Sequence, residues 1–277
     1  MILNSIKDTT KLHNGVKMPW FGLGVYKVQE GDEALLSVKT AIKAGYRSID
    51  TAALYQNEES VGIAIKESGV PREELFITTK VWNTDQRNES VLEAFETSIN
   101  KLGLEYVDLY LVHWPVVEKY KQTWKVLEKL YKEGRVRAIG VSNFNIHHLE
   151  DLMSVTEIKP MVNQVELHPL LTQPELRNYC RNQEIQIEAW APLGQGRLLE
   201  HPVLREIAMA HNKSTAQVIL RWDLQNGIVT IPKSVTESRI IENADIFDFY
   251  LTENQMEEIN SLNEDKRFGA DPDHFNF

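Results

Sequence analysis

Asp50, Tyr55, Lys80 and His113 are side chains suited to moving a proton, and each stands at or just beyond the end of a short apolar run. A lone phenol, with a pKa of about 10, is a poor acid at neutral pH. An ammonium beside it favours the phenolate and lowers that value. A carboxylate paired with the ammonium keeps it charged and in place, and an imidazole N–H orients and polarises a carbonyl. Such a set gives a proton to an oxygen as negative charge develops there. It needs no nucleophile, so hydride transfer from a cofactor suits it. Taken singly, each residue has a plainer reading: Asp50 as a cap, Tyr55 as half-buried packing, Lys80 as a solvated strand end, His113 as a hydrogen-bonded structural histidine. Their common place at one rim is what argues for chemistry.

A second constellation is Ile231-Pro232-Lys233-Ser234 followed by Arg239. With Thr236 as the N-cap, Arg239 falls in the first turn of a helix, where the dipole disfavours a cation. A phosphate on that helix N-terminus, bridged by Lys233, Ser234 and Arg239, removes the conflict. The plainer alternative is a pair of surface charges. Other polar groups close the remaining strands: Ser142 and Asn143, then Asn163, Gln164 and Glu166. The aromatics Trp20, Tyr26, Trp82 and Trp114 are expected to edge the mouth as substrate contacts, and Trp190 is placed to stack on a flat nicotinamide ring. An aromatic pocket with few polar groups suits small carbonyl compounds. No metal site is expected, since His147 and His148 are adjacent and diverge on a helix, and no His/Cys/Asp set has ligand spacing.

These residues need a scaffold that brings strand ends together. The strand-like runs are Phe21–Val25, Ser48–Thr51, Phe76–Val81, Val107–Trp114, Arg137–Ser142, Met161–Leu167, Gln186–Pro192 and Val229–Lys233. Several are apolar almost throughout, as in parallel strands buried on both faces. Helical periods separate them. Glu33–Ala44 has Asp32 as its expected N-cap, Val91, Phe95, Ile99 and Leu102 form one stripe before Gly103, and Ser214/Gln217 and Thr252/Gln255 read as capping boxes. Eight βα units predict an α/β fold closed as a (β/α)8 TIM barrel, with additional helices near Val203–Ala210 and Glu253–Leu262. Lys11–Asn14, Gly15 and Val16–Met18 read as a hairpin capping the barrel floor. An open doubly wound sheet is the rival. Against it, Gly22-Leu23-Gly24 lacks the third glycine of a dinucleotide loop, because Lys27 stands there.

The chain has 277 residues, and no Pro/Gly/Ser-rich linker divides it, so residues 1–277 read as one domain. A formal net charge of −10 argues against a nucleic-acid partner, which needs a basic footprint. Cys180 is the one cysteine, so no intrachain disulfide forms. No signal-peptide core or membrane-length apolar stretch is evident. A cytoplasmic enzyme acting on small molecules, with no membrane partner, is expected.

Three stretches resemble the signatures of the aldo/keto reductases: Gly45 through Ile49-Asp50-Thr51 and Tyr55 to Glu58, Gly134 through Ile139-Gly140-Val141-Ser142-Asn143-Phe144, and Ile231-Pro232-Lys233-Ser234 with Arg239, Glu242 and Asn243. They run in family order over nearly the whole chain, and the general likeness is to the bacterial diketogluconate and glyoxal or methylglyoxal reductases. The resemblance implies a TIM barrel that binds NADPH, with Tyr55 as general acid assisted by Asp50, Lys80 and His113. It implies that Ser142, Asn143 and Gln164 hold the nicotinamide carboxamide, with Trp190 stacked on the ring. Lys233, Ser234 and Arg239 would take the 2′-phosphate, with Glu242 and Asn243 near the adenine. It also favours a monomer. Two other readings remain beside it. A cofactor-free barrel isomerase or hydrolase leaves the Lys233/Arg239 cluster needing a sugar phosphate. A non-catalytic binding module leaves the Asp50/Tyr55/Lys80/His113 set without a purpose.

Overall fold

The protein is described as a computed structural model over residues 3–277. A two-stranded antiparallel hairpin comes first, β1 (Thr9–Lys11) with β2 (Lys17–Pro19). Its first strand begins earlier than the sequence predicts. Residues 12–14 instead belong to the turn, where Leu12 N–H donates to Val16 O at 2.9 Å and the Leu12 side chain is buried.

Eight parallel strands follow in sequential neighbour order: β3 (Gly22–Gly24), β4 (Ser48–Asp50), β5 (Phe76–Val81), β6 (Val107–Val112), β7 (Val136–Ser142), β8 (Val162–Glu166), β9 (Gln186–Trp190) and β10 (Val229–Thr230). Every residue of β5 and β6 is buried, so their charged members, Lys80 and Asp108, must find partners inside the fold. A parallel bridge between Phe21 and Thr230 brings the first and last strands together. Thr230 N–H donates to Trp20 O at 3.1 Å and Gly24 N–H to Pro232 O at 3.2 Å. A Cβ on Gly24 would lie 2.9 Å from Ile231 O. Gly24, part of the stretch that fails as a dinucleotide loop, thus serves barrel closure.

The helices are α1 (Asp32–Lys43), α2 (Glu58–Glu67), α3 (Asn83–Arg87), α4 (Val91–Leu102), α5 (Tyr120–Lys132), α6 (Ile146–Met153), α7 (Pro174–Asn182), α8 (Pro202–His211), α9 (Thr215–Gln225), α10 (Glu237–Ala244) and α11 (Glu253–Asn260). Val91, Phe95, Ile99 and Leu102 of α4 are all buried, each contributing roughly 1.5–3 kcal/mol of apolar burial. Gly103, at φ 64°, ends that helix in the left-handed conformation. Both expected capping boxes form, Ser214 with Gln217 and Thr252 with Gln255. The extra helices α8 and α11 lie where they are predicted. Asp32 is in the first turn of α1 and Gly31 holds the cap position. The short α3 has no counterpart in the sequence pattern, because Asn83–Arg87 carries no apolar period.

Candidate active site

The strands run from the hairpin end to an open mouth, and four predicted residues meet at that mouth. Asp50 ends β4, Lys80 is the penultimate residue of β5, His113 follows β6, and Tyr55 closes a 3-10 turn, Ala53–Tyr55, after β4. Lys80 is fully buried. Its Nζ donates to Asp50 Oδ1 at 2.5 Å, to Thr51 O at 2.9 Å and to the Tyr55 hydroxyl at 3.4 Å, so its three N–H groups have three acceptors. Burial works against its charge, but Asp50 and Tyr55 outweigh that and raise its pKa. Burial also pushes Asp50 upward, against the opposing pull of Lys80.

The phenol departs from expectation. Burial pushes Tyr55 up to about 12, and the lowering by Lys80 offsets only part of this. The ammonium therefore limits the rise in pKa and does not take it below the ordinary value. His113 is driven well below the usual imidazole range, first by burial and then by Lys80, so it is neutral at pH 7. Its Nδ1 is buried without a partner, and its ring lies edge-on to Tyr55, with centroids 5.7 Å apart.

On the opposite wall, Ser142 Oγ donates to Gln164 O at 2.8 Å. Asn143, at φ 64°, spends its amide hydrogens on His113 O (3.0 Å) and Ser142 Oγ (3.1 Å). Its Oδ1 accepts from the Trp190 indole at 2.8 Å, which fixes the plane of that ring. Gln164 Nε2 donates to Asp50 Oδ2 at 2.7 Å and to Glu188 Oε2 at 2.8 Å. Glu188 is fully buried and escaped the sequence reading. The signal was present: an acidic residue stands at the centre of the run Ile187-Glu188-Ala189. Asn163 turns outward, donating to Phe144 O at 2.9 Å. Glu166 accepts from the backbone N–H of Phe268 at 2.7 Å and of Gly269.

Lys233 and Arg239 are exposed at the start of α10, while Ser234 is buried. The acidic groups Asp245 and Asp248 nearby are taken by Lys213, each at 2.8 Å. Neither Lys233 nor Arg239 has an ion-pair partner among the described residues. Thr236 occupies the N-cap position but makes no side-chain cap bond. Ser234 Oγ instead accepts from Thr236 N–H at 3.1 Å. The first-turn N–H groups are therefore open beside two free cations, a fit for a phosphate. Glu242 is exposed and Asn243 buried on the same helix.

Tyr26 packs on Tyr55 at 5.1 Å and Trp82 lies edge-on to His113 at 5.0 Å. Phe275 and Phe277 complete the wall. Phe277 stacks on Trp82 at 5.7 Å, and both Phe275 and Phe277 meet Trp114 at 5.1 Å. The Phe277 backbone oxygen accepts from Arg87 at 2.7 Å and from Asn83 at 3.2 Å. Trp20 does not belong to the mouth. It precedes β3, at the opposite end of the barrel, and lines a cleft with Leu12, Arg177, Ile185 and Ile228.

The two adjacent histidines of α6 also depart from the sequence reading, because their rings converge. His147 Nε2 is 3.1 Å and His148 Nε2 3.6 Å from the same Asp273 Oδ1. His148 Nδ1 accepts from Asn145 N–H at 3.1 Å, which leaves the proton on Nε2, facing Asp273. The ligand atoms of His147, His148 and Asp273 lie within 4.8 Å of one another, so the spacing that the sequence reading denied is present here. Burial and His147 also push His148 down to about 4, so it stays neutral.

The model of the aldo/keto reductase family matches residues 21–264. The chain is 68% identical to glyoxal reductase of Bacillus subtilis (strain 168), over 99% of each chain. It is 48% identical to methylglyoxal reductase DkgA of Escherichia coli (strain K12), over 96% of this chain and 97% of that one. Among solved structures, a mutant of Gox0644 in complex with NADPH superposes with a TM-score of 0.93 at 45% identity, covering 98% of this chain and 99% of that one.

Proposed function

The chain belongs to the aldo/keto reductase family, and from that premise we propose that it is an NADPH-dependent reductase of aldehydes and ketones with Tyr55 as general acid. The observation that carries the reading is the buried Lys80 ammonium, held by Asp50 at 2.5 Å and lying 3.4 Å from the Tyr55 hydroxyl. A phenol with a pKa near 12 keeps its proton until an alkoxide forms on the substrate oxygen. Lys80 then stabilises the phenolate left behind. Neutral His113, protonated on Nε2, donates a hydrogen bond to the same oxygen and orients it. The reduced nicotinamide, when bound, supplies the hydride.

Ser142, Asn143 and Gln164 hold the carboxamide in this reading, and Trp190, oriented by Asn143, stacks on the ring. Lys233, Ser234, Arg239 and the open first turn of α10 take the 2′-phosphate, with Glu242 and Asn243 beside the adenine. Tyr26, Trp82 and Trp114, with His113, bound the substrate. Phe275 and Phe277 narrow that pocket, which favours small carbonyl compounds. The names of the two relatives support dicarbonyls such as glyoxal or methylglyoxal, with keto sugars as the next class. A single-domain cytoplasmic monomer completes the reading.

The test is NADPH consumption across glyoxals, aldoses, aromatic aldehydes and keto acids. Turnover highest with the small dicarbonyls is expected. No consumption with any class would overturn the reductase reading, and a clear preference for aldoses would overturn the substrate class.

A further inference from the structure

Glu188 sits at the centre of β9 with its side chain fully buried and its Oε1 without a partner. Its one hydrogen bond comes from Gln164 Nε2 at 2.8 Å. The second hydrogen of that same amide nitrogen goes to Asp50 Oδ2 at 2.7 Å. Two carboxyl groups thus share one NH2 and together decide which way the amide faces. Reversing it would turn an oxygen toward two oxygens. The Gln164 carbonyl oxygen has no partner among the described residues and is not among the sealed, unsatisfied atoms. It is left free to accept a hydrogen bond.

We propose that Glu188 is a positioning residue for the reductase site: it locks the Gln164 amide and so joins the nicotinamide wall to the Asp50–Lys80–Tyr55 chain. This rests on the reading of Gln164 as a carboxamide contact. The connection is continuous, running from Glu188 to Gln164, Asp50, Lys80 and Tyr55 through contacts of 2.8, 2.7, 2.5 and 3.4 Å.

Charge arithmetic gives the residue its protonation state. Lys80, on β5, faces this cluster as its one cation, and Asp50, on β4, already balances it. The register partner of Glu188 on β10 is Val229, which is uncharged. An ionised Glu188 would be a second, uncompensated carboxylate in a dry interior. Burial first, then Asp50, push it up to about 8, against weaker opposition from Gln164 and Lys80. Glu188 therefore acts as a neutral acid at physiological pH. It accepts from Gln164 without adding a negative charge that would oppose the Tyr55 phenolate.

The experiment compares wild type, Glu188→Leu and Glu188→Gln. NADPH affinity is read by tryptophan quenching, turnover by NADPH consumption, and stability by melting across pH. Glu188→Leu strands a buried amide hydrogen, and NADPH affinity should fall about tenfold. Glu188→Gln, which keeps an acceptor, should restore most of that loss. The folded protein keeps a proton on Glu188 that the unfolded chain has released. Wild-type stability should therefore fall relative to Glu188→Gln as pH rises from the ordinary carboxylate range to about 8, and the gap should then level off. Wild-type affinity and turnover in Glu188→Leu would overturn the positioning role. A melting gap that does not change with pH would overturn the neutral acid. The melting comparison needs no turnover, so it reads Glu188 even if the wild type reduces no carbonyl, and it remains decisive if Glu188→Leu does not fold.

Discussion

The two ends of the barrel treat buried charge in opposite ways. At the hairpin end, Asp108 lies near the start of β6, fully buried. Its carboxylate meets Arg72 at 2.7 Å, Arg137 at 2.8 Å and the backbone N–H of Ile77 at 2.9 Å. Both arginines reach the surface, so the pair is anchored where its charge is also solvated. At the mouth, Asp50 alone holds the Lys80 ammonium and shares one amide with Glu188, Glu188 Oε1 and His113 Nδ1 have no partner, and the pKa values of Tyr55, Glu188 and His113 all move far from their ordinary values. A saturated charge contributes to stability. An under-partnered one holds groups ready to exchange a proton, which is why strongly shifted values gather at functional sites.

Lys80→Met against Asp108→Asn is the sharpest way to break this contrast. Lys80→Met should lower carbonyl turnover by about 10²–10⁴-fold, the usual worth of general acid catalysis. It should also cost stability, because it leaves the buried Asp50 carboxylate without its cation. Asp108→Asn should cost about 1.5–3 kcal/mol of stability, the worth of hydrogen bonds to a charged group, while leaving turnover near wild type in the folded protein. Calorimetry and steady-state rates on both variants check it. Inactivity in folded Asp108→Asn, or near-wild-type turnover in Lys80→Met, would mean that the ends do not divide the work.

A second, smaller effect concerns the other charged patch of the mouth. Arg239→Ala should raise the KM for NADPH by roughly 10- to 100-fold, the worth of about 1.5–3 kcal/mol for hydrogen bonds to a charged group. The KM for NADH should hardly move, since only NADPH carries the extra phosphate. Equal losses for both cofactors would remove Arg239 as the discriminator.

What the sequence disclosed follows from which forces are local. Phe76–Val81 and its companions are legible because strands buried on both faces are mostly apolar and β-branched, and the boxes at Ser214 and Thr252 because a cap spans a few residues. Asp50, Lys80 and His113 are legible because a strand end fixes which way a side chain opens. Trp20 was misplaced because the residue before a strand lies at the floor, however near the motif it stands in sequence. The phenol of Tyr55 was expected below its ordinary pKa because the ammonium is visible in sequence, whereas the burial that outweighs it comes from the assembled barrel. Glu188 stayed hidden for a related reason, as its partners Gln164 and Asp50 come from other strands. The docking of Phe277 on Trp82 likewise depends on a fold that joins the two ends of the mouth.

The account turns on one hydroxyl, and Tyr55→Phe removes that atom and little else. Turnover and NADPH affinity measured on the same preparation test it most directly. Carbonyl reduction should fall by about 10²–10⁴-fold with tryptophan quenching by NADPH unchanged. A variant that still reduces carbonyls at a rate within a few-fold of wild type would contradict the account.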